Sequence, residues 1–572
     1  MSPHVLFYRA LLAVRRVGMS HLLLLAGAGI VMQCGWVMIW ALCYRLNYAY
    51  SPDFVEQYLQ RFPILTRALR VLLALANRLV AGIEPPHSLA VLVNGLEVAF
   101  AVVGLGYLGG VLLLDHASLP TRAAMRIVLG FTLLYQITLL LLPGFFSTDV
   151  FSYVMYGRIA GVDGGNPYIA PPNAFPSDPF LAWVYPFWRE QPSVYGPFWT
   201  DLSWVLAQLF GWGSPMDQVL AYKVVLNGFQ LVNVGLVWWL LGRFQLDGGS
   251  PSARLTAFAL FAWNPLVLFE LAGNVHNDSV MLTFLLLGLV PLAGASAGRR
   301  WLGAGGTAGN GPRDVGGRIS HFCWSVATLV IGLSALIKYA TGVVALFYQV
   351  AWARQLPRAR QRLAWLGGTA LLLLGVGVAL AWPWLRRPDV LVLVGLIASG
   401  ERWVNSVPDL LALTIADQVL DPHAVDRDAA HAVTRFWMGL STRGLFLAYL
   451  ALELRWLWAE AGQGRQRAVN GVIRASTRTL LALPLLVLPW VWDWYFTWPL
   501  ALAVFLGWRS VLAKITVGYT LFAPPVFYAH QYWNTHMPGA LLLLYAGLPL
   551  LLPLTWRALT DRGQGATRNS LG

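Results

Sequence analysis

The stretch 127–153 reads IVLGFTLLYQITLLLLPGFFSTDVFSY: twenty uncharged, mostly apolar residues ending at Phe146, then Ser147-Thr148-Asp149 with no transition between them. As a helix rising about 1.5 Å per residue, 127–146 extends roughly 30 Å, the hydrocarbon thickness of a bilayer. It reads as a membrane span that delivers a carboxylate to one of its ends. Apolar runs recur on both sides of it, at 22–42 and 89–114 before it, then at 219–241, 255–272, 280–295, 322–337, 340–352 and 363–384. Others follow at 436–458, 480–490, 496–508, 515–528 and 538–556. The predicted fold class is therefore all-α: a polytopic transmembrane helical bundle of about 12–14 spans, with 127–146 the third. Runs as short as 340–352 and 480–490 cannot cross alone, and helix ends inside a bilayer need protein or a wet cavity to satisfy their backbone groups, so these breaks point to a cavity.

Composition agrees. Of 572 residues, 57% are hydrophobic and 12% charged, with a mean hydropathy of +0.59. A soluble surface needs about 25% charged residues, which excludes a globular cytoplasmic enzyme and a disordered chain alike. The formal charge of +14 does not signal nucleic acid, because the basic residues lie in short runs between apolar stretches, as cytoplasmic loops do. Arg9, Arg15 and Arg16 precede the first run and no small-residue cleavage site closes it, so the first span is expected to be retained with the N-terminus inside. Alternation then places Arg122 and Arg126, Arg354 to Arg362, Arg465 to Arg478 and the C-terminus on the cytoplasmic side of the plasma (inner) membrane; Arg61, Arg67, Arg70, Arg78, Arg386 and Arg387 fall outside. This register requires that 198–212 lie in the interface or dip in and out. Cys34, Cys43 and Cys323 form no disulfide framework or zinc spacing, and the glycine-rich stretch 303–317 reads as an inside linker.

In that topology the unusual polar residues collect at the outer ends of the spans. Ser147-Thr148-Asp149 opens a long loop carrying Arg158, Asn166, Tyr168 and Tyr195; Asn274, His276, Asn277 and Asp278 lie between two apolar runs; and Lys338-Tyr339 is wedged between two short helices. Two further clusters are Trp492-Asp493-Trp494-Tyr495 and His530, Gln531, Tyr532, Asn534 and His536. An ionisable group near the hydrocarbon costs on the order of 2.5–3.5 kcal/mol, so such residues persist where they meet partners or water. Each cluster also has an ordinary reading: Asp149 as a helix cap, 274–278 as a tight turn, Lys338 as a snorkelling side chain, the tryptophans as an interfacial belt. His530 and His536, six apart, do not share a helical face and make a poor metal pair.

The string Ser147-Thr148-Asp149-Val150-Phe151-Ser152-Tyr153, then Tyr156-Gly157-Arg158, Gly165-Asn166-Pro167-Tyr168 and Tyr195-Gly196-Pro197, resembles the first large outer loop of GT-C membrane glycosyltransferases. It resembles most nearly that of the polyprenol-phosphate-mannose-dependent alpha-1,6-mannosyltransferases of bacterial lipoglycan synthesis. Trp263-Asn264-Pro265-Leu266 with Glu270, Gly273-Asn274 and His276-Asn277-Asp278 resembles a second motif of that group, and Lys338-Tyr339 and Trp494-Tyr495 with Trp498-Pro499 resemble weaker ones. The acidic loop here follows the third span, whereas in many GT-C enzymes it follows the first. Residues 1–120 thus look like a two-span N-terminal addition, 121–384 like the catalytic module with outer loop 147–215, and 385–572 like a C-terminal module with outer loop 385–432.

The resemblance implies transfer of a sugar, mannose foremost, from a polyprenyl-phosphate donor to a glycan or glycolipid acceptor hydroxyl on the extracytoplasmic side, with inversion. A phosphate monoester leaves readily once its charge is balanced, so one base and a cationic cradle suffice, and neither a metal nor an organic cofactor is required. By resemblance Asp149 is the base, Lys338 balances the phosphate, and His276 and Arg158 hydrogen-bond it. Asn166, Asn274, Asn277, Asp278 and Asp493 suit hydroxyls of the sugar or acceptor, and Tyr168, Tyr195, Trp494 and Tyr495 suit sugar faces. Membrane lipids are the remaining partner. The main alternative is a polytopic transporter or lipid-linked sugar flippase, which usually shows related halves and ionisable groups near the midplane rather than motifs gathered at one face.

Overall fold

A computed structural model of the chain describes residues 3–83, 87–117, 119–244, 250–293, 313–385, 403–420, 427–533 and 547–555. Most of the expected 303–317 linker, much of the 385–432 loop, part of the 538–556 run, and Asn534 and His536 lie outside the described residues, as do the side chains of His530, Gln531 and Tyr532.

The fold is all-α and polytopic. Six helices among the described residues are long and apolar enough to cross a membrane: Met19–Tyr48, His87–His116, Thr121–Leu140, Pro215–Leu241, Ala359–Leu385 and Val511–Tyr528. A seventh candidate is bent by 43° between Pro251–Ala262 and Pro265–Gly273. The bend has a local cause: Pro265 cannot donate to the preceding turn, and Asn264 caps the second segment by accepting from Val267 N at 3.2 Å. Asp278–Ala293 and Ser320–Ala335 are shorter apolar helices. The run expected at 480–490 instead ends a helix, Arg465–Ala482, in a π-helical turn at Leu483–Val487, so it does not form a straight span of its own.

The contacts divide the chain into two compact units, neither continuous in sequence. The first comprises Met1–Phe146, Gln245–Asn274 and Val504–Gly572. Lipid offers helices no hydrophobic reason to associate, so close packing and interhelical hydrogen bonds must hold them. Gly106 lets the His87–His116 helix press on the first one: a Cβ there would come within 2.9 Å of Ala28 O. Tyr135 donates to Gly29 O at 2.8 Å, Tyr107 to Leu260 O at 3.0 Å, and the Trp263 indole to Val128 O at 2.9 Å. Asn274 closes this unit, donating to Glu270 and to Tyr528 at 2.9 and 3.0 Å and accepting from Phe146 N at 2.9 Å.

The second unit comprises Ser147–Phe244 and Val275–Ala503. The stretch expected as an outer loop is built of helices, chiefly Asp149–Gly161 and Pro197–Phe210, joined by 3-10 turns at Pro172–Ala174 and Leu181–Trp183. The 14-residue Pro197–Phe210 helix is about 21 Å long, short of the hydrocarbon thickness. It packs on Asp149–Gly161 through Gly157, where a Cβ would lie 2.5 Å from Ser203 O. Arg158 pins the intervening chain, with Nε 2.9 Å from Asp178 Oδ2 and Nη1 donating to Gly211 O and Gln218 at 3.0 and 3.1 Å.

Candidate active site

Two helices of the second unit begin with a carboxylate. Thr148 occupies the cap position of Asp149–Gly161 without a side-chain cap bond, so Asp149 is the first helical residue rather than the cap. Asp278 likewise opens Asp278–Leu287 behind Asn277. Both side chains gain from the partial positive charge at a helix N-terminus. Between the two units' sequences, Val275 is held at φ 53, a left-handed conformation that a β-branched residue rarely adopts and that costs on the order of 1–3 kcal/mol. It turns the chain immediately before His276.

The consequence is a compact constellation. Asp149 Oδ2 lies 3.4 Å from His276 Nδ1 and accepts from the Tyr153 hydroxyl at 3.3 Å. The His276 ring stacks on Trp494 with centroids 3.9 Å apart, and Trp494 also stacks on Trp492 at 5.2 Å and 4°. Lys338 Nζ forms an ion pair with Asp278 Oδ2, while Asp278 Oδ1 accepts from the Trp498 indole at 2.5 Å. The Lys338 ammonium also lies 5.7 Å from the centre of the Tyr495 ring, a cation–π distance. Asp278 is fully buried, so its charge is held by these two donors alone among the bonds described, and Lys338 is aimed in turn.

Asp149 and Lys338 line one cavity of about 500 Å³. Its wall is aromatic, with Tyr168, Tyr195, Trp188, Trp490 and Trp494 among the lining residues; Leu483, Leu488 and Pro489 add an apolar stretch. Trp188 and Trp490 stack at 5.8 Å and 14°. Burial alone raises the pKa of the Asp149 carboxyl, but its hydrogen bond and charge interaction with His276, the charge of Lys338 and the Tyr153 hydroxyl outweigh it and hold it below the ordinary value. Asp149 is therefore an anion at neutral pH. Burial pushes Tyr153 well above the usual phenol range, so it acts as a neutral donor or acceptor.

The expected site residues separate into three groups. Asp149, His276, Lys338, Tyr168, Tyr195, Trp494 and Tyr495 meet at or beside the cavity. Asn277 and Asp278 stand one step back: Asn277 faces Tyr153, and Asp278 serves Lys338. Asp493, fully buried, accepts from Trp494 N at 3.0 Å. The rest are engaged elsewhere. Arg158 is committed to Asp178; Asn166 donates to Trp384 O at 2.9 Å and accepts from Tyr168 N at 3.1 Å; Asn274 serves the first unit. Tyr153 and Trp498 are absent from the sequence-based set. Tyr153, four residues after Asp149 on the same helix face, was within reach of sequence reasoning; Trp498 stood in one of the quoted motifs, but its bond to Asp278, 220 residues away, carried no local signal. Among the described residues, no three His, Cys, Asp or Glu side chains converge as a metal cage requires.

Comparison with known proteins agrees with the motifs. Residues 72–354, which contain Asp149, His276 and Lys338, match the family model described as alpha-(1->6)-mannopyranosyltransferase, N-terminal domain. Its membrane-spanning helices and this match, over 283 of its 572 residues, make the chain similar to membrane mannosyltransferases of the GT-C type. Within that class its relatives are mannosyltransferases. A probable alpha-(1->6)-mannopyranosyltransferase of Mycolicibacterium smegmatis is 27% identical over 481 residues, 79% of this chain and 78% of that one. Two alpha-(1->6)-mannopyranosyltransferases of Mycobacterium tuberculosis are 27% and 25% identical over 432 residues each, covering 68% and 72% of this chain and the same shares of theirs. No solved structure matches.

Proposed function

We propose that this protein transfers mannose from a polyprenyl-phosphate donor to a hydroxyl of a glycan or glycolipid acceptor on the extracytoplasmic side of the plasma membrane, with inversion. The observation that carries this reading is that a carboxylate, Asp149, and an ammonium, Lys338, line the same aromatic-walled cavity. Asp149 takes the acceptor hydroxyl proton as that oxygen bonds to the anomeric carbon; the bond from that carbon to the phosphate oxygen breaks, and Lys338 balances the charge of the departing phosphate. Aromatic faces hold the sugar, and Leu483, Leu488 and Pro489 suit the first isoprene units. Neither metal nor organic cofactor enters this reaction. The test is a transfer assay on purified protein with polyprenyl-phosphate mannose and a mannoside acceptor, scored for a new linkage of inverted configuration; transport of the intact donor across vesicles without transfer would favour a flippase.

Two subordinate outcomes follow from the shell around Asp149. His276→Phe keeps a ring against Trp494 but removes the group that chiefly offsets burial at Asp149. The carboxyl pKa then rises, less of it is ionised as pH falls, and the acid limb of the kcat/KM profile moves to higher pH. Tyr153→Phe removes one hydrogen bond to the carboxylate, a loss of about ten-fold in kcat/KM. An acid limb unmoved by His276→Phe would detach His276 from the base.

A further inference from the structure

Between the first two long helices the chain makes three short ones, Pro52–Arg61, Pro63–Ala68 and Arg70–Arg78, broken at Phe62 and Leu69. The longest has 10 residues, about 15 Å, so none can cross a bilayer. One face is attached: Phe54, Val55, Tyr58 and Ala76 are buried, and Phe54 packs on Phe145 at 6.0 Å. The opposite face is apolar and open. Ile64 is 82% exposed, Val71 73%, Leu75 53% and Leu79 52%, the last three forming one stripe at four-residue intervals. Arg67, Arg70 and Arg78 stand exposed around it, and no acidic residue occurs from Phe62 to Ile83.

We infer that this arm lies on the membrane surface and binds anionic phospholipid headgroups. An element too short to span, with leucines and valine on its free face and guanidinium groups flanking them, has its lowest energy where the apolar stripe enters the acyl boundary and the arginines remain at the phosphate level. The guanidinium fork matches phosphate oxygens in pairs, and each arginine near an anionic surface contributes attraction that salt screens. The same arrangement accounts for four arginines, Arg61 with these three, standing opposite the other basic loops in the alternating topology: they hold a surface helix to lipid and do not mark the end of a span. A second copy of the chain would cover the leucines but would gain nothing from a uniformly basic rim, because like charges would face one another.

The test uses the full-length chain with Cys34, Cys43 and Cys323 replaced and Leu75→Cys carrying an environment-sensitive fluorophore. It is reconstituted in phosphatidylcholine vesicles with or without phosphatidylglycerol. The expected result is a blue-shifted label, quenched by lipids brominated near the headgroup more than by those brominated deep in the chain, with quenching strengthened by phosphatidylglycerol and weakened by salt. Arg67→Gln, Arg70→Gln and Arg78→Gln should each lower the docked-to-free ratio by roughly five-fold, and the three combined by roughly a hundred-fold. A wet, unquenched label in both vesicles, deep quenching, or indifference to phosphatidylglycerol and to the arginine changes would overturn the inference. So would disulfide cross-linking of unlabelled Leu75→Cys between copies in place of quenching.

Discussion

Asp149→Asn is expected to lower kcat by roughly 10²–10⁴-fold, the range that a positioned general base supplies. The amide has the shape of the carboxylate and can still accept from Tyr153, so the helix start and the His276 contact are disturbed little. What it cannot do is take a proton. Because Lys338 and the aromatic wall are untouched, the donor KM should hold while kcat falls, the pattern of an interaction made only in the transition state. Asp149→Glu keeps the charge but displaces it by a methylene, and should retain part of the rate. Initial rates with polyprenyl-phosphate mannose and a mannoside acceptor decide the matter: full activity in Asp149→Asn removes Asp149 from the chemistry.

The second large effect concerns Lys338. Its partner Asp278 is wholly buried, and removing one member of such a pair leaves an uncompensated charge, at a cost of about 3–5 kcal/mol. Lys338→Ala should therefore lower Tm clearly and raise the donor KM together, which by itself does not separate folding from phosphate binding. Combining it with Asp278→Ala does. With both charges gone, most of the lost Tm should return, while the donor KM stays raised by roughly ten- to a hundred-fold, the worth of a hydrogen bond to a charged group. Asp278→Ala alone leaves an ammonium that is already 15% exposed and can reach the cavity water, so its Tm penalty should be the smaller one. A normal donor KM in the double variant would reduce Lys338 to a structural counter-ion.

These two residues also mark how far the sequence could be read. Asp149 and Lys338 were legible because a charge at the end of an apolar run is costly unless something uses it, and that cost is visible in one dimension. The pairing of Lys338 with Asp278, and of Asp278 with Trp498, was not, since it joins residues 60 and 220 positions apart. Arg158 looked available because sequence does not reveal that Asp178 folds back onto it. Asn274 stands two residues from His276 in the chain, yet its side chain closes the first unit against Phe146, Glu270 and Tyr528. Between them the left-handed Val275 redirects the backbone, a turn for which valine gives no warning.

By itself the amino-acid sequence determines that the chain lives in a membrane, as helices, with its unusual polar groups gathered at helix ends, because hydropathy and helical length are local properties that the bilayer reads directly. Which groups face one another is decided by tertiary structure. Partners of buried charges are chosen by three-dimensional proximity, and only folding shows that Asp278 is the anchor of Lys338, that Arg158 is occupied, and that Tyr153 and His276 converge on Asp149.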